Sequence, residues 1–296
     1  MYEAHSKQQF ELYQLARAHF IKYPDALVEL EEYTMKILES FLEACKVEIV
    51  EDYNEASYLH PFWKNYPPEE RGRQPRGDQY PWIEVGEHVL SPKLGRYLAA
   101  RYPTRDCGIP SGPDARFVIK AENIQKITGV TDACWIFVDI KSVGPRDEFD
   151  HAVMSHNQIS GSGIWLNPED GVRNEVMIAK GRSATHDFHC ATPPLYILSD
   201  GTICPVVHFV LKPIYTMLGL DAAAQGKGQP LKKLVLVSIP NGLLLSGHEG
   251  LLEKYPGLLY PGKDDKAKDP RKLRARVSFE KIKQIASWRY FEIDTL

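Results

Sequence analysis

The sequence predicts an α/β protein with a mixed central β-sheet flanked by helices. Three observations carry this. Apolar positions recur at helical spacing over the first 45 residues, the period shortens to that of strands from residue 115, and Asp-Gly and Asn-Gly turn signals then separate short apolar runs. A first helix is predicted over about residues 8–22, ending before Pro24. Leu27, Leu30, Tyr33, Ile37, Phe41 and Cys45 place a second, amphipathic helix over 26–45. Residues 1–57 form a helical layer that covers a sheet or meets a second copy of the chain. Residues 58–81 hold five prolines with Arg71, Arg73 and Arg76 and read as a long irregular loop, a type that is often functional. Ser91-Pro92 reads as the N-cap and first residue of a helix ending near Tyr102-Pro103.

Strands are predicted at 115–120 (ARFVIK) and 133–140 (ACWIFVDI). Residues 195–198 and 203–211 flank Ser199-Asp200-Gly201-Thr202, and 233–239 and 243–246 flank Pro240-Asn241-Gly242; each pair reads as a hairpin. With no internal repeat and no boundary signal, residues 1–296 are expected to form one domain.

The 296 residues are 43% hydrophobic and 25% charged, which excludes a disordered or collagenous chain. No apolar run approaches the roughly 18 residues that a membrane span needs. The N-terminus lacks the apolar core and small-residue cleavage site of a secretory signal. Five scattered cysteines without a Cys-x-x-Cys pair point to reduced thiols and a cytoplasmic protein. The net charge of -3 hides an asymmetry: residues 1–60 carry 12 acids and five bases, whereas residues 261–283 carry nine bases and four acids. Such a block is either a solvated surface or a face for a polyanion.

Gly112-Pro113-Asp114 and, one strand later, Asp139-Ile140-Lys141 form the sharpest chemical constellation. Asp139 and Lys141 stand two apart on a strand and leave the same face, with Cys134, Ile136, Val138 and Ile140 on the other. If the two strands pair, the carboxylates of Asp114 and Asp139 converge on one cation. Two carboxylates, a backbone carbonyl and water suit Mg²⁺. The lysine adds a point charge for a scissile phosphate and its attacking water, so the set points to phosphodiester hydrolysis. Taken singly, Pro-Asp is a common turn and Asp-x-Lys a common strand end.

Other candidates are poorer. His186, His189, Cys190 and Cys204 lack a zinc spacing. Asp147, Glu148, Asp150 and His151 read as a solvated loop, Gln225-Gly226-Lys227-Gly228 lacks Walker spacing, and Gly161-Ser162-Gly163 does not complete a nucleophile elbow. Glu84 and Glu87 are expected on a surface helix, within reach of a second metal at most. In the basic block, Lys263, Arg274 and Arg276 can read guanine and Asp265 can accept from cytosine, which would make the DNA site rich in G·C; solvated charge pairing is the alternative.

Beyond these residues, the stretches DYNEASYLHPFW (52–63), PWIEVGE (81–87), GPDARF (112–117), FVDIKSVGPRD (137–147), PPLYILSDGTICPVVH (193–208), KPIY (212–215), PNGL (240–243) and PGKDD (261–265) resemble, in this order, the BglI-like type II restriction endonucleases of the PD-(D/E)xK superfamily. The resemblance implies a restriction-endonuclease-like fold. It also implies a Mg²⁺-dependent homodimer, with two ions per active site, that cuts both strands of double-stranded DNA at an interrupted G·C palindrome of the type GCCNNNNNGGC. By the same motif match, Asp114 and Asp139 hold metal with the Ile140 carbonyl, Lys141 serves the nucleophile, and Lys263, Asp265, Arg274 and Arg276 read bases. Residues 112–141 would then be the catalytic strands and 261–283 the DNA-reading segment. A companion DNA methyltransferase is expected in the same cell. Residues 148–190 are not placed against the family by these motifs, and any minor-groove or flanking contacts there stay open. A repair or structure-selective nuclease on the same fold, and a DNA-binding protein without catalysis, are the competing readings.

Overall fold

The computed structural model describes residues 2–58, 85–106, 112–141, 150–164, 175–181, 184–215, 231–246, 249–262 and 273–295. Two helices lead: α1 (Tyr2–Lys22) and α2 (Pro24–Tyr58). They break at Tyr23 because Pro24 offers no N–H and disfavours helical backbone before it. Helix α2 runs well past the predicted limit at Cys45, because Ile49, Tyr53 and Ala56 continue its buried stripe. A π-turn (Gly86–Leu90) runs straight into α3 (Ser91–Ala99), so Ser91 is not the predicted N-cap. Its hydroxyl donates instead to the Asp114 carbonyl. Lys93 fastens α3 to α2 through Glu48 and Asp52, each at 2.9 Å.

Next come β1 (Thr104–Asp106), β2 (Ala115–Lys120), α4 (Glu122–Thr128), β3 (Ala133–Ile140), β4 (His151–Met154), β5 (Glu175–Lys180), β6 (Thr185–Cys190), β7 (Leu195–Ile197), β8 (Ile203–Tyr215) and β9 (Leu231–Ile239). The chain ends through α5 (Gly242–Leu245), α6 (Leu251–Lys254), β10 (Leu259–Pro261), β11 (Ala275–Ser278), α7 (Phe279–Ile285) and β12 (Tyr290–Asp294). The main sheet has the order β1-β2-β3-β8-β9-β12, with β7 alongside the first part of β8. Strands β3 and β8 are parallel and the other neighbours antiparallel, so the sheet is mixed, as predicted. A second sheet has the order β10-β11-β4, and β5 pairs with β6.

The β7–β8 hairpin is present. Gly201 takes φ +83°, and the Asp200 carboxylate accepts from the Thr202 N–H. The second predicted hairpin is absent: residues 242–245 form α5, and β9 pairs with β8 and β12. Here the Asn-Gly pair caps a helix. The Asn241 side chain accepts from the Leu243 N–H, and its amide donates to the carbonyls of Pro194 and Val206. A Cβ on Gly242 would stand 2.1 Å from the Gly161 carbonyl oxygen, which leaves room for glycine alone.

One face of the sheet carries Phe117, Ile136, Val138, Val207, Phe209 and Leu236 against α2 and α3. The opposite face of β8 and β9, with Val210, Val235 and Val237, packs on β4, the β5–β6 hairpin, β11 and α7. The helical layer is therefore concentrated on one side, and a second β layer covers much of the other. Between α2 and the C-terminal segment lies a fully buried ion pair, Glu31 to Arg289 at 2.6 Å. The other Glu31 oxygen accepts from the Asn241 N–H. Burial pushes the Glu31 carboxyl above its ordinary value, against the opposing pull of the Arg289 guanidinium. Among the described residues no helix is long and apolar enough to cross a membrane.

Candidate active site

Strands β2 and β3 pair antiparallel, from Lys120 opposite Ala133 to Ala115 opposite Val138. Asp114 is the residue just before this paired stretch, and Asp139 the one just after Val138 on β3. Asp114 Oδ2 accepts from the Ile140 N–H at 2.6 Å, which ties its carboxylate to the end of β3, next to Asp139. The alternation of β3 is also as predicted. Cys134, Ile136, Val138 and Ile140 join the core under α2, whereas Trp135 and Phe137 pack on the other face, which Asp139 and Lys141 share.

The Asp139 side chain is 1% exposed, yet its charge is compensated. Lys141 Nζ lies 2.6 Å from Oδ2, and Gln158 Nε2 donates to Oδ1. Lys141 keeps 29% of its side-chain surface, so its ammonium stands between the buried carboxylate and solvent. Pro113 has a definite role in this geometry. It stands two residues before β2 and has no N–H to donate to the end of β3. The end of β3 therefore offers two carboxylates and a carbonyl, all hard oxygen donors of the kind Mg²⁺ prefers. Among the described residues no group of three or more His, Cys, Asp and Glu gathers to hold a metal, so the zinc reading of His186, His189, Cys190 and Cys204 has no support.

The basic segment is described in part. Lys263 and Asp265 lie outside the described residues, as do Glu84 and the side chain of Glu87. On β11, Ala275 and Val277 enter the core, so Arg274 and Arg276 leave the opposite face, as their spacing predicted. Arg274 is exposed. Arg276 is half-buried and spends donors within the fold: Nη1 to the Pro261 carbonyl at 2.6 Å and Nε to His151 Nε2 at 3.2 Å. A Cβ on Gly262 would stand 2.5 Å from the Arg274 carbonyl oxygen, so this close strand crossing also requires glycine.

Three polar residues near this region carry no sequence motif. His151, read above as part of a solvated loop, is buried and bonded to Arg276 and to the exposed Asp150. Lys212 is buried and donates to the His151 carbonyl at 2.7 Å. Gln158 reaches Asp139 from the turn after β4.

Comparison with known proteins agrees with this geometry. The family model described as restriction endonuclease BglI matches residues 8–293. The type II restriction enzyme BglI of Bacillus subtilis is 42% identical over 290 residues, which is 96% of this chain and 96% of that enzyme. The crystal structure of restriction endonuclease BglI bound to its DNA recognition sequence superimposes with a TM-score of 0.88, covering 100% of this chain and 99% of the other. The tetrameric restriction endonuclease SfiI, solved bound to cognate DNA, shares the fold at a TM-score of 0.56 and 15% identity, covering 91% of this chain and 85% of its own. On the strength of the family match and of 42% identity along nearly the whole of both sequences, the chain belongs to the BglI family of type II restriction endonucleases.

Proposed function

We propose that the protein hydrolyses both strands of double-stranded DNA at an interrupted G·C palindrome, as a Mg²⁺-dependent homodimer, with Asp114, Asp139 and Lys141 as its catalytic residues. The observation that carries this reading is that the Asp114 carboxylate is bonded to the Ile140 N–H at the end of β3, where the Lys141 ammonium lies 2.6 Å from the buried Asp139 carboxylate. The carboxylates of Asp114 and Asp139 and the Ile140 carbonyl would hold the divalent ion, two ions per active site in this reading. Bound there, Mg²⁺ supplies Lewis-acid polarisation of the phosphate, a water of lowered pKa and neutralisation of the leaving 3′-oxygen.

The chain's own groups do the rest. Lys141 Nζ, partly exposed, holds a non-bridging phosphate oxygen and orients the attacking water. The Ile140 N–H fixes Asp114 Oδ2 and thereby the direction of the remaining oxygen. The apolar floor of Trp135 and Phe137 keeps bulk water off one side of Asp139. Arg274 and Arg276, with Lys263 and Asp265, read G·C edges, and a two-fold dimer matches a palindrome with one half-site per subunit. Residues 1–296 act as one endonuclease domain in the cytoplasm, with a companion methyltransferase protecting host DNA.

The test is digestion of plasmid DNA in Mg²⁺, followed by sequencing of the ends. Discrete fragments with identical G·C-flanked ends are expected. Smearing or branch-dependent nicking would select a structure-selective nuclease. Sequence-specific binding without hydrolysis in Mg²⁺ or Mn²⁺ would select a DNA-binding protein without catalysis.

A further inference from the structure

The strand pair that carries Arg276, with Arg274 just before it, also leads, four residues beyond β4, to the buried carboxylate at the end of β3. Strand β11 pairs with β4, with Arg276 opposite Val153 and Ser278 opposite His151. After β4 the chain turns, with the Gln158 N–H donating to the Ser155 carbonyl at 3.0 Å. The Gln158 side chain then spans two partners: Oε1 accepts from the Ser155 N–H at 2.8 Å, and Nε2 donates to Asp139 Oδ1. A backbone donor at one end and a carboxylate at the other fix the amide in this orientation. The turn itself is pinned, because the Ala191 N–H donates to the His156 carbonyl and the Thr192 hydroxyl to that of Asn157. A second strut joins the same layers, since Lys212 on β8 donates to the His151 carbonyl. The Asp139 carboxylate is thereby linked, through the Gln158 amide and the turn after β4, to the strand pair β4–β11.

We propose that Gln158 is a positioning residue that sets the plane of the Asp139 carboxylate and transmits to it the placement of the base-reading strand. The inference rests on the proposed endonuclease activity and on Asp139 as a metal ligand. The amide occupies one lone-pair direction of Oδ1, so it selects which direction remains for a divalent ion. Cognate contacts at Arg274 and Arg276 would hold β11 and β4 where the carboxylate is correctly turned; a mismatched site would not.

The test compares the full-length protein with Gln158→Met, which keeps the side-chain length and removes the amide. Three quantities are read: affinity for the cognate duplex without divalent metal, half-saturating Mn²⁺ in the protein–DNA complex by electron paramagnetic resonance, and single-turnover cleavage of cognate and single-mismatch duplexes. Affinity for DNA and the melting temperature should stay at parent values. Mn²⁺ affinity and cognate cleavage should each fall about 10- to 100-fold, as for other groups that orient a metal ligand. Cleavage of the mismatched duplex should fall less, so discrimination shrinks. Unchanged Mn²⁺ affinity and cleavage would overturn the proposal. So would a joint loss of DNA affinity, cleavage and melting temperature, which marks a structural residue. If Gln158→Met does not fold, Gln158→Asn keeps the amide but is too short to span both partners, and its comparison decides in the same way. A parent protein that cuts no DNA defeats the endonuclease reading; a parent that cuts beside an unaffected variant defeats this inference alone.

Discussion

Replacing Asp139 by asparagine separates metal chemistry from folding. The substitution keeps the shape of a side chain that is 1% exposed and removes one negative charge beside Lys141 Nζ, 2.6 Å away. At an effective dielectric of about 20 the gross attraction in that pair is about 6 kcal/mol. Desolvating the carboxylate costs several kcal/mol in the opposite direction. Lys141 keeps 29% of its side-chain surface and rehydrates when the carboxylate is gone. The expected net change in stability is therefore about 1 kcal/mol, within the range of partly exposed pairs. Catalysis should respond differently. A neutral amide oxygen forfeits several kcal/mol of transition-state charge stabilisation through the metal. A loss of about 4 kcal/mol, at about 1.4 kcal/mol per tenfold, slows cleavage about a thousandfold. Single-turnover cleavage in Mg²⁺, gel-shift binding without metal and urea unfolding read the three quantities separately. Binding should hold or tighten, since a negative charge near the phosphates has been removed. Cleavage within tenfold of the parent would refute the reasoning, and so would a stability loss above about 3 kcal/mol, which would make Asp139 a residue of the fold.

Other perturbations test the scaffold and the DNA-reading face. His208 is buried against the Phe137 ring, and burial lowers its pKa from 6.5 to about 3. Its contribution to stability is thus complete above pH 6.5 and is lost, at about 1.4 kcal/mol per pH unit, as pH falls toward 3. His208→Phe should remove that acid slope in urea unfolding at pH 7 and pH 5; an unchanged slope would show that the histidine does not titrate as described. Glu31→Ala strands the buried Arg289 and should cost about 3–5 kcal/mol, whereas Glu31→Met combined with Arg289→Met should cost much less. A denaturant double-mutant cycle measures both, and equal losses would argue against the ion pair. Arg274→Ala should relax discrimination at one G·C position by about 1–3 kcal/mol, with a smaller change in melting temperature than at Arg276 because its side chain is exposed. Arg276→Ala should lower both specificity and stability, because its guanidinium also binds Pro261 and His151. Competition binding against single-substituted duplexes, with melting curves, distinguishes the two.

What was legible in the sequence follows from local rules. Pro24 ends α1 because a proline acts on its immediate neighbours, and Asp200-Gly201 turns a hairpin because the turn is closed by residues two apart. The contacts of Asp139 with Lys141 and of Asp114 with the Ile140 N–H belong to the same class. Strand alternation assigns the faces, and β2 and β3 are antiparallel neighbours joined through α4, so their pairing brings the two motifs to one end of the pair. The resemblance carried by the motifs around them then pointed to the family that the comparisons established. The failures were not local. Asn241-Gly242 carries the same dipeptide signal as a hairpin, but the close backbone of Ser160 and Gly161 and the carbonyls of Pro194 and Val206 turn it into a helix cap. Whether α2 stopped at Cys45 or continued to Tyr58 depended on whether a sheet lay beneath Ile49 and Tyr53. Gln158, Lys212 and His151 lie in or join a stretch with no periodic signature, and their partners stand 19, 61 and 125 residues away in sequence. The sequence alone singled out the candidate side chains for the chemistry, since spacing within a strand is a short-range property. Only the tertiary structure decided which groups hold them in place, because buried polar atoms take their partners from whichever layer packs against them, and one-dimensional spacing does not encode that layer.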